Sequence, residues 1–150
     1  MRRKGPLRIR LAAGEDLDPW LDQFFAQHDA RWRGEGIVKF EDERLREFCT
    51  RLVHAGHASG LVRFTMLEWN EVPRAFDITL VRGDTHLCFL VSRDRSVTRY
   101  SPGRILQAHV IRAALQAGAR RYEFGLGDER HKLSRASASS RVVGWAMWPT

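Results

Sequence analysis

Cysteine, lysine, proline and long apolar runs are all scarce in this 150-residue chain. Its two cysteines, Cys49 in a helical pattern and Cys88 in a strand pattern, are too few for a disulfide framework. Each sits among apolar neighbours as a small hydrophobe, which suits a reducing compartment. No stretch approaches the roughly 20 apolar residues of a membrane span, and no apolar core follows the basic Met1-Arg2-Arg3-Lys4 as it would in a secretion signal. A soluble, cytoplasmic protein is expected. Metal-ligand spacing is missing too: His54 and His57 are separated by Gly56, and no nearby Cys or acid completes a set, so no metal is expected.

Three lysines stand against 22 arginines in a chain of net charge +7. Arginine forks suit phosphate, although a GC-rich genome gives the same bias without function. The basic residues are spread along the chain, with no block of five or six like charges of the kind that marks a nucleic-acid arm. No internal repeat, long linker or domain boundary is visible. Residues 1–150 read as one domain, a size that buries roughly 68–70% of its unfolded surface without a staple.

Leu7-Arg-Ile-Arg-Leu11 alternates apolar and charged residues, as a half-buried strand does. Asp18-Pro19 opens a helix that groups Trp20, Leu21, Phe24, Phe25, His28 and Trp32 on one face and ends near Gly34. A second helix is predicted from Glu41 to Ala55, with Leu45, Phe48, Cys49, Leu52 and Val53 as its apolar face and Gly56 as its stop. Leu61–Trp69, Arg74–Val81 and His86–Val91 read as strands joined by turns at Asn70-Glu71 and Gly83-Asp84, an antiparallel meander. A helix then leads to a strand at Arg121–Leu126, where Tyr122, Phe124 and Leu126 alternate with Arg121, Glu123 and Gly125. Strand-helix-strand units of this kind normally cross over to a parallel neighbour. Residues 128–140 are predicted as a loop or one helical turn, and Arg141–Trp148 as a last strand carrying Trp145 and Trp148. The order β-α-α-β-β-β-α-β-(short α)-β gives an α+β fold with a mixed sheet.

The helix after the meander carries the strongest signal. Ser101 is a good N-cap, Pro102 fits the first helical position, and Gly103 leaves the backbone open at the second. Three or four outward amides, flanked by Arg99 and Arg104, are expected to offer an anion both the helix dipole and charged side chains. Leu106, Val110, Ala113, Ala114 and Ala117 form one apolar face, and Gly118 is a left-handed stop.

Arg99-Tyr-Ser-Pro-Gly103 before this helix, and Tyr122-Glu-Phe-Gly-Leu-Gly-Asp-Glu-Arg-His-Lys132 after it, resemble the CelD-type acetyltransferases of cellulose biosynthesis. These are a branch of the GNAT acyltransferase superfamily related to the FemAB enzymes. Gly127, Asp128 and Lys132 match the family pattern, while Glu123 stands where Asp is usual and His131 where Tyr is usual. Phe24-Phe25, His28 and Arg31-Trp32 echo an early family helix. Members are normally more than twice as long, so the resemblance makes residues 1–150 the equivalent of the C-terminal GNAT-like unit. It implies a GNAT-like, mostly antiparallel sheet flanked by helices and an acyl-CoA co-substrate, acetyl-CoA among others, held at Arg99, Tyr100, Ser101, Pro102, Gly103 and Arg104. It further implies a small-molecule, saccharide or amine acceptor near His28 and Trp32, and a second GNAT-like unit or homodimer as partner.

Acyl transfer needs a base for the acceptor's proton and a donor for the tetrahedral oxyanion. Glu123 and Asp128 are the candidate carboxylates, and Lys132 is the candidate for phosphate or developing negative charge. Each has a plainer reading: Glu123 pairs with Arg121 or another arginine, and Asp128 only makes a turn. His109, mid-helix, reads as a packed or surface histidine. A Ser101-His109-Asp128 triad has no Gly-x-Ser-x-Gly elbow behind it. Beside the N-acyltransferase stand two alternatives: a tRNA- or nucleic-acid-binding module and a catalytically inactive GNAT-like domain that binds a partner.

Overall fold

A computed structural model describes residues 5–33, 40–127 and 130–141. Asp128, His131's side chain and the strand expected from Arg141 to Trp148, beyond Arg141 itself, lie outside the described residues. Five strands run in sheet order as they do in sequence: β1 (Leu7–Leu11), β2 (Val62–Trp69), β3 (Val72–Arg82), β4 (Thr85–Arg93) and β5 (Arg121–Glu123). The first three ladders are antiparallel, and β5 lies parallel to β4 after the crossover helix α3 (Pro102–Gln116). Helices α1 (Leu17–Trp32) and α2 (Glu43–Ala58) cover the other face, and a single turn, α4 (Arg130–Leu133), follows β5. This is the mixed, mostly antiparallel α+β sheet that the pattern of the sequence gives.

Both faces of the central strands are covered, so β2 is buried at almost every position and reads as a continuous apolar run. Towards α1 and α2 the core is aromatic, built on Trp20, Phe24, Phe25, Phe40, Phe64 and Phe76. Beneath α3 it is aliphatic: Leu106 and Val110 pack on Leu67 and Ala75, with Leu7, Ile9 and Tyr122 at the margins. The β2–β3 turn is the two-residue kind, with Asn70 and Glu71 at φ 52° and 60°, which matches the strand twist. One extra residue bulges in β3 at Arg74 and another in β4 at Phe89.

The helix boundaries depart from expectation where tertiary contacts decide them. A 3-10 turn at Gly14–Asp16 precedes α1, which starts at Leu17 and ends at Trp32. Asp42 caps α2 by accepting from the Arg44 N–H at 2.9 Å, and the helix runs through Gly56 to Ala58. Gly56 is therefore not a stop. It is buried, and a Cβ there would lie 2.3 Å from Val62 Cγ2, so glycine is the residue that lets α2 touch β2. Cys49, Val53 and Gly56 face inward, which turns Phe48, expected on the apolar face, 56% out to solvent.

Gly56→Ala tests this contact. A better helix former normally gains up to about 1 kcal/mol over glycine, yet overpacking against Val62 costs about 1–3 kcal/mol. The expected net result is a lowered urea midpoint; a raised one would mean that α2 and β2 separate without penalty.

At the far end of α3, Gly118 adopts φ 89° as expected. The Ala119 N–H donates to Ala114 O and the Gly118 N–H to Leu115 O, both at 3.0 Å, which closes the helix in a Schellman motif. The start is different. Ser101 holds the N-cap position in the left-handed region (φ 52°, ψ 51°) and its hydroxyl caps nothing. The reason is the 3-10 segment Arg95–Tyr100, which runs straight into α3 and leaves Ser101 as the bend between two helical stretches.

Candidate functional site

The β4–β5 ladder is three residues long: Thr85 with Arg121, His86 with Tyr122, and Leu87 with Glu123. The sequence pattern extends β5 to Leu126, but Gly125 turns away at φ 77° and Leu126 is 77% exposed. A Cβ on Gly125 would meet Cys88 O at 3.3 Å, so the two chains are still close there. Beyond that point β4 continues to Arg93 paired with β3, while its other edge has no strand alongside it among the described residues. The Phe89 bulge falls at the parting, and a bulged strand carries extra local twist. The result is a fork whose open side presents unpaired β4 backbone.

The mouth of α3 stands at the same end. A Cβ on Gly103 would touch the side chain of Arg93, the last residue of β4, at 3.7 Å. Pro102 is buried and anchors the turn, while Ser101 and Arg104 are exposed and Gly103 is half-buried. The cradle is narrower than the expected three or four amides. Pro102 has no N–H, and the Arg104 and Ile105 amides both donate to Ser101 O, at 3.0 and 3.2 Å. Of the first three helical positions, Gly103 keeps an amide with no partner among the described residues.

Charge and aromatic packing frame this mouth. The Arg99 guanidinium lies 4.6 Å over the Tyr100 ring, which meets Trp69 edge-on at 5.1 Å. Asp94 accepts from Ser96 N at 2.8 Å and from Arg74 at 2.5 Å. Burial alone would raise its pKa, but these hydrogen bonds and the arginine outweigh it and hold the carboxyl below the usual range. Asp94 is thus committed to shaping the segment before the mouth.

The other sequence-derived residues are distributed around the fork. Glu123, at the end of β5, is half exposed and lies 3.8 Å from Arg121. Lys132, on α4, donates from Nζ to Leu126 O, which draws α4 back toward the end of β5. His28 is buried at 6% exposure among Phe24, Phe40 and Trp32, its Nδ1 3.5 Å from Asp29. Trp32 stacks with Arg31 at 4.4 Å. Ser92 of β4 donates to Gln27 at 2.7 Å and Arg95 donates to Arg31 O at 3.1 Å. Those two bonds place the last turns of α1 against the chain leading to the α3 mouth.

One polar group escaped the reading of the sequence. Asp77, 2% exposed, lies beneath α3 with Thr79 donating to it at 2.5 Å and the Cys88 thiol 3.9 Å away. Gln107 of α3 and Tyr122 of β5 complete the cluster; the buried Tyr122 hydroxyl meets Cys88 and Thr79 without the geometry of a full hydrogen bond. Burial raises Asp77 to about 6 against the two hydrogen bonds. It also lifts Cys88 to about 12, helped by the nearby Asp77 charge, and Tyr122 rises for the same two reasons. A thiol so firmly protonated is a poor nucleophile. The signal that could have revealed the cluster is Asp77 itself, a carboxylate between Phe76 and Ile78 in mid-strand.

No curated protein matches the chain. Solved structures do. A predicted acetyltransferase of Clostridium acetobutylicum, with acetyl-CoA, superposes with a TM-score of 0.70 at 11% identity, covering 94% of this chain and 96% of the other. An aminoglycoside acetyltransferase from an uncultured soil metagenomic sample, in complex with sisomicin, gives 0.67 at 14% identity over 96% and 97%. The aminoglycoside N-acetyltransferase AAC(6')-Iy, in complex with CoA, gives 0.66 at 13% identity over 98% of each chain. At these identities the likeness establishes the fold. The model of the acetyltransferase (GNAT) domain family matches residues 1–133, and the chain belongs to that family.

Proposed function

We propose that this protein is a CelD-type N-acyltransferase that moves an acyl group from an acyl-CoA thioester to an amine or hydroxyl on a small-molecule or saccharide acceptor. On this reading residues 1–150 are a single domain equivalent to the C-terminal unit of longer relatives, working in the cytoplasm on cell-envelope or polysaccharide precursors. The observation that carries it is the coincidence of the open α3 mouth with the open side of the β4–β5 fork. One holds a free amide between exposed arginines, as a diphosphate requires. The other offers unpaired strand backbone, as an extended amide-bearing arm requires. Structural relatives solved with acetyl-CoA, CoA and sisomicin support both the donor and an amine acceptor.

Bound acyl-CoA supplies the activated thioester carbonyl. The roles proposed for the chain are those that the family resemblance implies. Arg99, Tyr100, Ser101, Pro102, Gly103 and Arg104 hold the diphosphate end. Glu123 or Asp128 takes the acceptor's proton as its nitrogen or oxygen attacks, and Lys132 steadies negative charge. His28 and Trp32 shape the acceptor side from α1.

Gly103→Glu is the decisive variant. Residue 103 has room for a Cβ in ordinary contact, so the substitution folds but sets a carboxylate in the mouth. For the wild type, acyl-CoA at 100 times Kd is expected to add about 2.7 kcal/mol to stability, seen as a melting shift. Gly103→Glu is expected to abolish that shift, and Gly103→Ala to keep most of it. A wild type unmoved by any acyl-CoA, yet stabilised by RNA in a salt-sensitive way, refutes the transferase reading.

A further inference from the structure

The opposite end of the sheet carries an unbalanced positive charge. Arg63, second residue of β2, lies six positions before Trp69, about 20 Å of strand away from the α3 mouth. It is half-buried, and its guanidinium makes no hydrogen bond or ion pair among the described residues. Two hollows meet at this side chain. The smaller, about 70 Å³, has Thr65 and His109 at its polar side and Leu11, Val110 and Ala113 as walls. The larger, about 280 Å³, opens between His57, Leu11, Val62 and Val81.

Neither hollow is lined by a carboxylate. The carboxylate that the ladder brings beside this space is Asp77, opposite Thr65, and it accepts from Thr79 at 2.5 Å. Burial first, and then the charge of Arg63, lower the pKa of His86, buried on β4. His57 is fixed by a contact from Nε2 to Ala12 O at 3.1 Å. Arg63 of β2, His57 of α2 and His109 of α3 thus line a space with apolar walls.

We propose that Arg63 and these hollows form a second binding site, for a small organic carboxylate with a short apolar tail. A guanidinium fork matches a carboxylate through two parallel hydrogen bonds, and Thr65 adds a hydroxyl donor. Leu11, Val110 and Ala113 receive the tail. Carboxylate is chosen over phosphate because one arginine and one hydroxyl serve two oxygens, whereas a phosphate dianion buried here needs further donors.

The test is calorimetric titration of the intact protein with propionate, propionamide and inorganic phosphate at constant ionic strength. Propionate is expected to bind saturably in the millimolar range and propionamide not at all. Arg63→Gln is expected to weaken propionate about tenfold or more, as loss of a charged hydrogen bond does, while keeping the melting shift with acyl-CoA. Failure here therefore leaves the acyltransferase reading standing, and failure there leaves this site standing. Equal propionate affinity in Arg63→Gln, no saturable binding in the wild type, or tighter binding of phosphate than propionate overturns the assignment. Should Arg63→Gln not fold, propionate must still shift the ring resonances of His57 and His109 in the wild type; unmoved rings overturn the site equally.

Discussion

Phe24→Ala is expected to remove about 3–5 kcal/mol of stability, the range for emptying a buried phenylalanine site that cannot collapse. Phe24 has no exposed surface. Its ring meets Phe25 at 5.6 Å, Phe40 at 5.8 Å, Phe64 at 6.2 Å and Phe76 at 6.4 Å, mostly edge to face. Those partners come from α1, the chain before α2, β2 and β3, so no single neighbour can move in without leaving a gap of its own. Each edge-to-face pair also adds about 0.5–1.5 kcal/mol beyond area. Phe48→Ala is the matching control: at 56% exposure it should change stability by no more than about 0.5 kcal/mol. Urea denaturation of both variants, with unchanged m-values, checks the pair. A loss below about 1 kcal/mol for Phe24→Ala would show that the aromatic layer repacks.

Asp77→Asn should remove a pH dependence and raise stability at neutral pH. The carboxyl titrates at about 6 in the fold against an ordinary 3.8, because burial disfavours the ion more than Thr79 and Cys88 favour it. Between these two values the native state holds a proton that the unfolded chain has released. Stability therefore falls as pH rises from about 4 to about 6, and the full penalty, up to about 3 kcal/mol, persists above that window. Asparagine carries no charge and its oxygen still accepts from Thr79. The variant is expected to be the more stable protein at pH 7–8, and to match the wild type near pH 4. Melting curves across that range decide it. Equal slopes for both proteins would mean that another group dominates the acid limb.

The elements that the sequence revealed are those specified by local pattern. Leu7–Leu11 alternates, and β1 spans those residues. Gly118 was legible as a left-handed stop because no other residue type enters that conformation so readily. Gly56 misled for the same reason: a glycine near a helix end looks like a cap, but here the missing side chain serves a contact with Val62, a residue in the next element. The apolar pattern of α2 admits a wide stripe that includes Phe48, but the helix buries only the narrower Cys49, Val53 and Gly56 face and leaves Phe48 exposed.

The candidate site divides the same way. Arg99 to Arg104 is contiguous, so its placement at a helix mouth could be read from spacing. That the mouth narrows to the Gly103 amide depends on the 3-10 stretch before Ser101, which no residue of the helix announces. Asp77, Cys88 and Tyr122 are brought together by the register of β3, β4 and β5. Their grouping is a property of pairing and is invisible to a reading along the chain.

The first strand of the sheet, β1, pairs along one edge with β2, and its other edge has no strand beside it among the described residues. It is five residues long, and Arg8 and Arg10 occupy every second position. A stranger's extended segment laid along that border would gain few main-chain bonds and would crowd two guanidinium groups, Arg8 beside Glu68 and Arg10 tied to Asp16. The border that a mixed sheet must leave open is thereby guarded against runaway polymerisation, and the guard is written in the alternation that first identified the strand.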